Sequence, residues 1–121
     1  LYAKRDWGHA KDYVEAMWLI LQQDTADDFV IATGESYTVK QFVETAFKVI
    51  GKEISWSGCG IDEIGRDSVT GAILVNVDPF YFRPAEVEFL LGDSSKALKI
   101  LGWERSMSFD KLVYEMVKAE L

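Results

Sequence analysis

In the first part of the chain, apolar residues recur at helical spacing. Ala10, Val14, Met17, Trp18 and Leu21 form one stripe of a helix predicted over residues 9–22, with Lys11, Glu15 and Gln22 outside it. The stripe is expected to be buried. Asp12 lies in the first turn, where the helix dipole favours a carboxylate. A polar run, Asp24-Thr25-Ala26-Asp27-Asp28, leads into Phe29-Val30-Ile31-Ala32, which is short, apolar and closed by Thr33-Gly34. That run reads as a buried strand. Thr38 followed by Gln41 has the spacing of a capping box. Val39, Phe42, Val43, Ala46, Phe47 and Ile50 then give a second amphipathic helix, stopped by Gly51.

The second half carries shorter signals. Residues 52–56 predict a strand, and 57–70, with Gly58, Gly60, Gly65 and several charges, a long loop. Residues 71–77 predict another strand, ended by Asp78-Pro79. Pro84 favours an extended or turn conformation just before it, and 87–91 reads as a last short strand. Asp93 or Ser94 caps a short helix that ends at Gly102. Ser108 caps the final one, whose face is Phe109, Leu112, Val113, Met116 and Val117. About four helices alternate with about four short strands, which is α/β in class. Such strands are too few for an independent doubly wound sheet, so they are expected to complete, or lie beside, a sheet encoded upstream. Leu1 stands where a start Met would, and Tyr2-Ala3-Lys4-Arg5 has the pattern of mid-domain sequence. Residues 1–121 are therefore expected to be one part of a longer protein.

Charge narrows the partners. Twenty acidic against thirteen basic side chains give a net charge of −7, which repels nucleic-acid backbones and anionic membranes. An anionic ligand must then be caught by locally placed Arg or Lys. One Cys and one His leave no disulfide and no Cys- or His-based metal cluster. No apolar run approaches a membrane span, and no signal segment opens the chain. The expected setting is the cytosol.

The chain has no Gly-x-Gly-x-x-Gly after a strand and no Gly-Lys-Ser/Thr phosphate loop. Tyr114 and Lys118 have the spacing of a Tyr-x-x-x-Lys pair but fall in the last amphipathic helix, where they read as a surface coincidence. Two arginines remain in unusual settings: Arg5 before an Asp-Trp-Gly turn, and Arg83 before Pro84, with Glu86 three residues on. A guanidinium fork matches phosphate oxygens bidentately. A neighbouring carboxylate can accept from two ribose hydroxyls. The bland alternative is structural pairing, Arg5 with Asp6 or Asp12 and Arg83 with Glu86.

The surrounding residues add a resemblance. Arg5-Asp6-Trp7-Gly8-His9-Ala10-Lys11-Asp12-Tyr13 and the run on to Trp18 resemble the signature that opens the substrate half of the GDP-mannose 4,6-dehydratases. Tyr81-Phe82-Arg83-Pro84-Ala85-Glu86-Val87, Asp28 to Glu35, Leu91-Gly92-Asp93 and Leu101-Gly102-Trp103 are similar to further family segments, so the likeness runs from Ala3 to Ala119. The resemblance implies the small carboxy-terminal part of an extended short-chain dehydrogenase, without its Rossmann sheet. Family members use NADP to oxidise the sugar at C4, eliminate water across C5 and C6, and return the hydride to C6. The product is GDP-4-dehydro-6-deoxy-mannose, the precursor of GDP-fucose. The catalytic residues and the NADP-binding turn then belong to the amino-terminal half, with none in residues 1–121. Arg5 and Arg83 would hold the GDP phosphates and Glu86 the ribose hydroxyls, with Tyr81 in the same pocket.

The other notable residues read as structural. His9 is expected near the start of the first helix, Cys59 as an inert thiol, and Trp7, Trp18, Trp56 and Trp103 as core. Asp62, Glu63 and Asp67 read as an acidic loop without calcium-binding spacing. Two other readings stay open: a different sugar-nucleotide dehydratase or epimerase of the same superfamily, and a non-catalytic interaction domain derived from one. Apolar faces left uncovered would favour a homo-oligomer.

Overall fold

The computed structural model describes residues 1–83 and 85–121; Pro84, with the turn expected there, lies outside the described residues. Its order is β1 (Lys4–Arg5), α1 (Ala10–Leu21), β2 (Tyr37–Thr38), α2 (Val39–Val49), β3 (Ile54–Ser57), β4 (Ile64–Asp67), β5 (Ile73–Asn76), α3 (Ser95–Leu101) and α4 (Phe109–Ala119). A 3-10 turn, Gly60–Asp62, precedes β4. The α/β class expected from the sequence is what forms: among the described residues, four helices, with five short strands in two small sheets. β1 pairs antiparallel with β2, and β3-β4-β5 is an antiparallel meander.

The helices follow their caps. Thr38 Oγ1 accepts from Gln41 N while Gln41 Oε1 accepts from Thr38 N, closing the capping box at α2. Ser108 Oγ accepts from Lys111 N at α4, and His9 Nδ1 accepts from Lys11 N at α1. Asp93 Oδ1, rather than the Ser94 hydroxyl, receives the first amide of α3, and Gly102 ends that helix with φ 66°.

The strands depart further from expectation. Residues 29–32 form no strand, although Gly92 packs against Val30 and Ala32. Residues 87–91 make only a parallel bridge, Lys4 to Phe89. β4 occupies the predicted loop, and Glu63 and Asp67 are buried rather than exposed. Glu63 Oε1 accepts from Lys40 Nζ at 2.8 Å and from Tyr2 OH at 2.8 Å. Burial alone would push the Glu63 carboxyl up, but those two donors hold it below its ordinary value.

The core lies in two clusters. Ala16, Ala97 and Trp103 meet between α1 and α3, with Tyr13, Leu19, Phe29, Ile31 and Leu101 packed around them. An aromatic group joins β1–β2 to α2 and α4: Tyr37 stacks on Phe109 at 3.9 Å, Phe42 meets Phe109 edge-on at 6.0 Å, and Trp7 lies 4.7 Å from Phe42. The apolar stripe of α1 is not in either cluster. Val14, Met17, Trp18 and Leu21 are 62%, 61%, 60% and 80% exposed, while the opposite face, with Asp12 and Ala16, is buried. The small residues Ala16 and Ala97 allow α1 and α3 to approach closely, leaving the bulkier face to water. Trp18 is thus not core; Trp103 is, and Trp7 and Trp56 are partly buried. Met116 on α4 is likewise half exposed.

Candidate functional site

β1 is too short to announce itself by periodicity, yet it organises a cleft. The 86–90 segment lies alongside it: Lys4 N donates to Glu88 O at 2.7 Å, and Leu90 N to Lys4 O at 3.1 Å. Arg5 ties the same segment with its side chain. Its Nη1 donates to Val87 O at 2.7 Å and to Lys4 O at 2.8 Å, and its Nη2 to Glu86 Oε1 at 2.9 Å. Residues 81 to 82 positions apart are thereby joined, which brings Arg83 to the side of β1.

The result is a cleft of about 610 Å³. Arg5, Tyr81, Arg83 and Glu86 all line it, with Leu1, Ala3 and Val39 on an apolar wall. Trp7, Asn76, Val77, Asp78, Phe82 and Glu88 complete the lining. Trp7, expected as core, does both jobs: its ring packs on Phe42, and its indole N–H donates to Tyr37 O at 3.0 Å. Asn76 and Glu88 carry no sequence signal of their own, since they reach the cleft only through the meander and the 86–90 stitching.

The two guanidinium groups are not equivalent. Arg5 is mostly covered and has spent three of its five N–H donors on Lys4 O, Val87 O and Glu86. Nε–H and one Nη2–H remain. Arg83 has a side chain 77% exposed, and its nearest carboxylate oxygen, Glu86 Oε2, is 3.9 Å away. At that length and exposure the pair holds little. Glu86 sits between them: Oε1 takes Arg5 and its own following amide, Val87 N, while Oε2 keeps lone pairs open to the cleft. Structural pairing of Arg5 with Asp6 or Asp12 does not occur; Asp6 and Asp12 bind elsewhere. Tyr81 is 75% exposed and makes an edge-to-face pair with Phe80 at 5.0 Å, so its ring stands at the cleft's mouth.

This arrangement can bind an anion. The cleft offers fixed and mobile guanidinium donors, a carboxylate with acceptor capacity to spare, and apolar walls. None of its lining residues is a Ser, Cys, His or Lys. His9 caps α1 and lies 3.6 Å from Glu115, outside the cleft. Tyr114 is half exposed on α4, with Lys118 Nζ 5.7 Å from its ring centre, as a surface pair would be. Among the described residues, no helix is long and apolar enough to cross a membrane.

The chain matches known proteins along its length. The sequence model of a family described as GDP-mannose 4,6 dehydratase covers residues 1–116. The GDP-mannose 4,6 dehydratase of Cricetulus griseus is 59% identical over 121 residues, all of this chain and 32% of that protein. Those of Homo sapiens and Drosophila melanogaster are 57% and 53% identical, again over the whole chain and over 32% and 31% of each protein. The chain thus spans about a third of the length of these relatives. Among solved structures, UDP-glucose 4-epimerase of Thermotoga maritima, in complex with UDP-glucose, superposes with a TM-score of 0.67. It is 21% identical, over 97% of this chain and 31% of that one, which is a likeness of fold alone.

Proposed function

Because the chain belongs to the GDP-mannose 4,6-dehydratase family, we propose that residues 1–121 form the carboxy-terminal, nucleotide-sugar-binding part of a longer GDP-mannose 4,6-dehydratase. The reaction is conversion of GDP-mannose to GDP-4-dehydro-6-deoxy-mannose. The observation that carries this reading is the shared cleft. Two arginines far apart in sequence converge with Glu86 between them, on walls that suit a nucleoside diphosphate. Arg5 and Arg83 hold the diphosphate, Glu86 Oε2 accepts from the ribose hydroxyls, and Tyr81 closes the mouth.

The residues here do not fit NADP. They contain no Gly-x-Gly-x-x-Gly between a strand and a helix, and the guanidinium pair of the cleft is already assigned to the substrate. In this reading NADP and the reacting groups belong to the remaining two-thirds of the polypeptide. Residues 1–121 supply grip: the remote GDP moiety contributes binding energy that positions the hexose for reaction elsewhere. Alone, the chain is inactive.

Turnover by the full-length cytosolic enzyme tests this. GDP-mannose should be dehydrated, with UDP- and dTDP-sugars at least about 100-fold poorer in kcat/KM, equivalent to about 2.8 kcal/mol of discrimination. Efficient use of a UDP-sugar would move the protein to another branch of the superfamily. The excess of acidic side chains argues against nucleic acid and anionic membranes as partners.

The exposed face of α1, with Val14, Met17, Trp18 and Leu21, supports self-association. The 121-residue chain is expected to run as a dimer or larger in light scattering, and Trp18→Glu to shift it toward monomer. A wild-type chain that stays monomeric at about 100 μM, some hundredfold above a micromolar Kd, contradicts this.

A further inference from the structure

Asp6 follows Arg5 directly, but its carboxylate turns away from the cleft. Oδ1 accepts from Thr33 N at 2.8 Å; Oδ2 accepts from Gly34 N at 3.2 Å and from Gly92 N at 3.3 Å. One side chain therefore clamps three stretches of backbone: the end of β1, the turn at 33–34, and the far end of the segment whose near end Arg5 holds. A carboxylate taking three amide donors is a strong and directional anchor. The approach at Gly92 is close enough to exclude a side chain, since a Cβ there would stand 2.2 Å from Ala32 Cβ.

We infer that Asp6 is a positioning residue for the nucleotide-binding cleft, acting through Arg5. This rests on the reading of the cleft given above. Arg5 reaches a ligand only with the donors left after Val87 O, Lys4 O and Glu86 are satisfied, so its aim depends on where the 86–92 segment lies. Arg5 pins that segment at Val87, Lys4 pins it at Glu88 and Leu90, and Asp6 pins it at Gly92. Releasing the last pin lets the segment shift, and Arg5 must either follow its partners or lose them. Arg83 projects from before this segment with a single long contact, so it does not depend on the clamp in the same way.

The isosteric change Asp6→Asn tests this in the full-length enzyme. With the amide oxygen kept on Thr33 N, the new NH2 faces Gly34 N and Gly92 N, donor against donors. The GDP-mannose KM and the GDP Kd are expected to rise about tenfold, with kcat within about twofold of wild type. A purely structural residue would not show what a double-mutant cycle should then reveal. On an Arg5→Ala background, Asp6→Asn should cost less than about twofold more; on an Arg83→Ala background it should cost the full tenfold. Equal, multiplicative losses on both backgrounds overturn the inference, as does an Asp6→Asn enzyme with unchanged GDP affinity. If Asp6→Asn does not accumulate as folded protein, Gly92→Ala displaces the same pin from its other side and should show the same pattern of coupling with Arg5. If Arg5→Ala and Arg83→Ala themselves leave GDP binding unchanged, the nucleotide reading of the cleft falls and this inference with it. If both weaken GDP while Asp6→Asn does not, only this inference falls.

Discussion

Replacing Asp12 by Ala should cost about 3 kcal/mol of stability, the largest loss expected from any single polar side chain in the chain. Asp12 is 3% exposed. Its Oδ1 accepts from Ser106 Oγ at 2.6 Å and its Oδ2 from Met107 N at 3.2 Å, while its backbone carbonyl accepts from the Trp103 indole at 2.8 Å. One residue of α1 thus fastens the connection between α3 and α4. Truncation leaves the Met107 amide buried without a partner, and an orphaned buried donor costs more than the bond it made. Denaturant unfolding of the 121-residue chain measures this; a loss below about 1 kcal/mol would mean that the loop finds other partners.

The same carboxylate gives a pH dependence with a defined sign. Burial pushes the Asp12 carboxyl up, but hydrogen bonds from Ser106 and Met107, with the nearby His9, outweigh it and hold the group below its ordinary 3.8. A folded-state value below the unfolded one means stability that is fully present above about pH 4 and is lost as pH falls through the folded value. Wild-type stability should decline below pH 4, and Asp12→Asn should flatten that limb.

Arg5→Ala in the full-length enzyme should raise the GDP-mannose KM about 100-fold, or about 2.8 kcal/mol at about 1.4 kcal/mol per decade, with kcat little changed. Arg83→Ala should raise it about tenfold. The difference follows from the cleft's construction. Arg83 is an exposed, loosely held group, and its removal takes away one ligand contact. Arg5 would contribute a ligand contact and also fasten Val87 and Glu86 to β1, so its loss opens the cleft and frees Glu86. Arg5→Lys should recover little, because an ammonium cannot reproduce three bonds in a planar fork. Equal effects of the two alanine variants would show that Arg5's contacts to Val87 and Glu86 do not shape the site.

How far the sequence foretold these features depended on how local each one is. The helices were legible because caps act within three residues: Thr38 with Gln41, and Ser108 with Lys111. β1 and β2 were not, because two-residue strands have no period and exist only through partners distant in sequence. The run at 29–32 has a strand's composition but forms none, and residues 64–67, with Gly65 and two charges, are the reverse. The stripe on α1 showed which face is apolar but not what covers it, and packing instead chose the side where Ala16 fits against Ala97.

In the cleft, Arg5, Tyr81, Arg83 and Glu86 stood out through the motifs around them, and they do converge. Val39, Asn76 and Glu88 were not picked out, since their place depends on pairings that reach from 12 residues, Asn76 with Ile64, to 84, Glu88 with Lys4. Asp6 was weighed as a partner for Arg5; its part in the clamp appears only once residues 33, 34 and 92 are seen together.

Calorimetric titration of GDP into the full-length enzyme, alongside Arg83→Ala, bears most directly on the cleft as a diphosphate grip. The wild type should saturate at one GDP per chain, and Arg83→Ala should bind at least about tenfold more weakly, a change of about 1.4 kcal/mol. GDP affinity within about twofold of wild type in that variant would contradict the account.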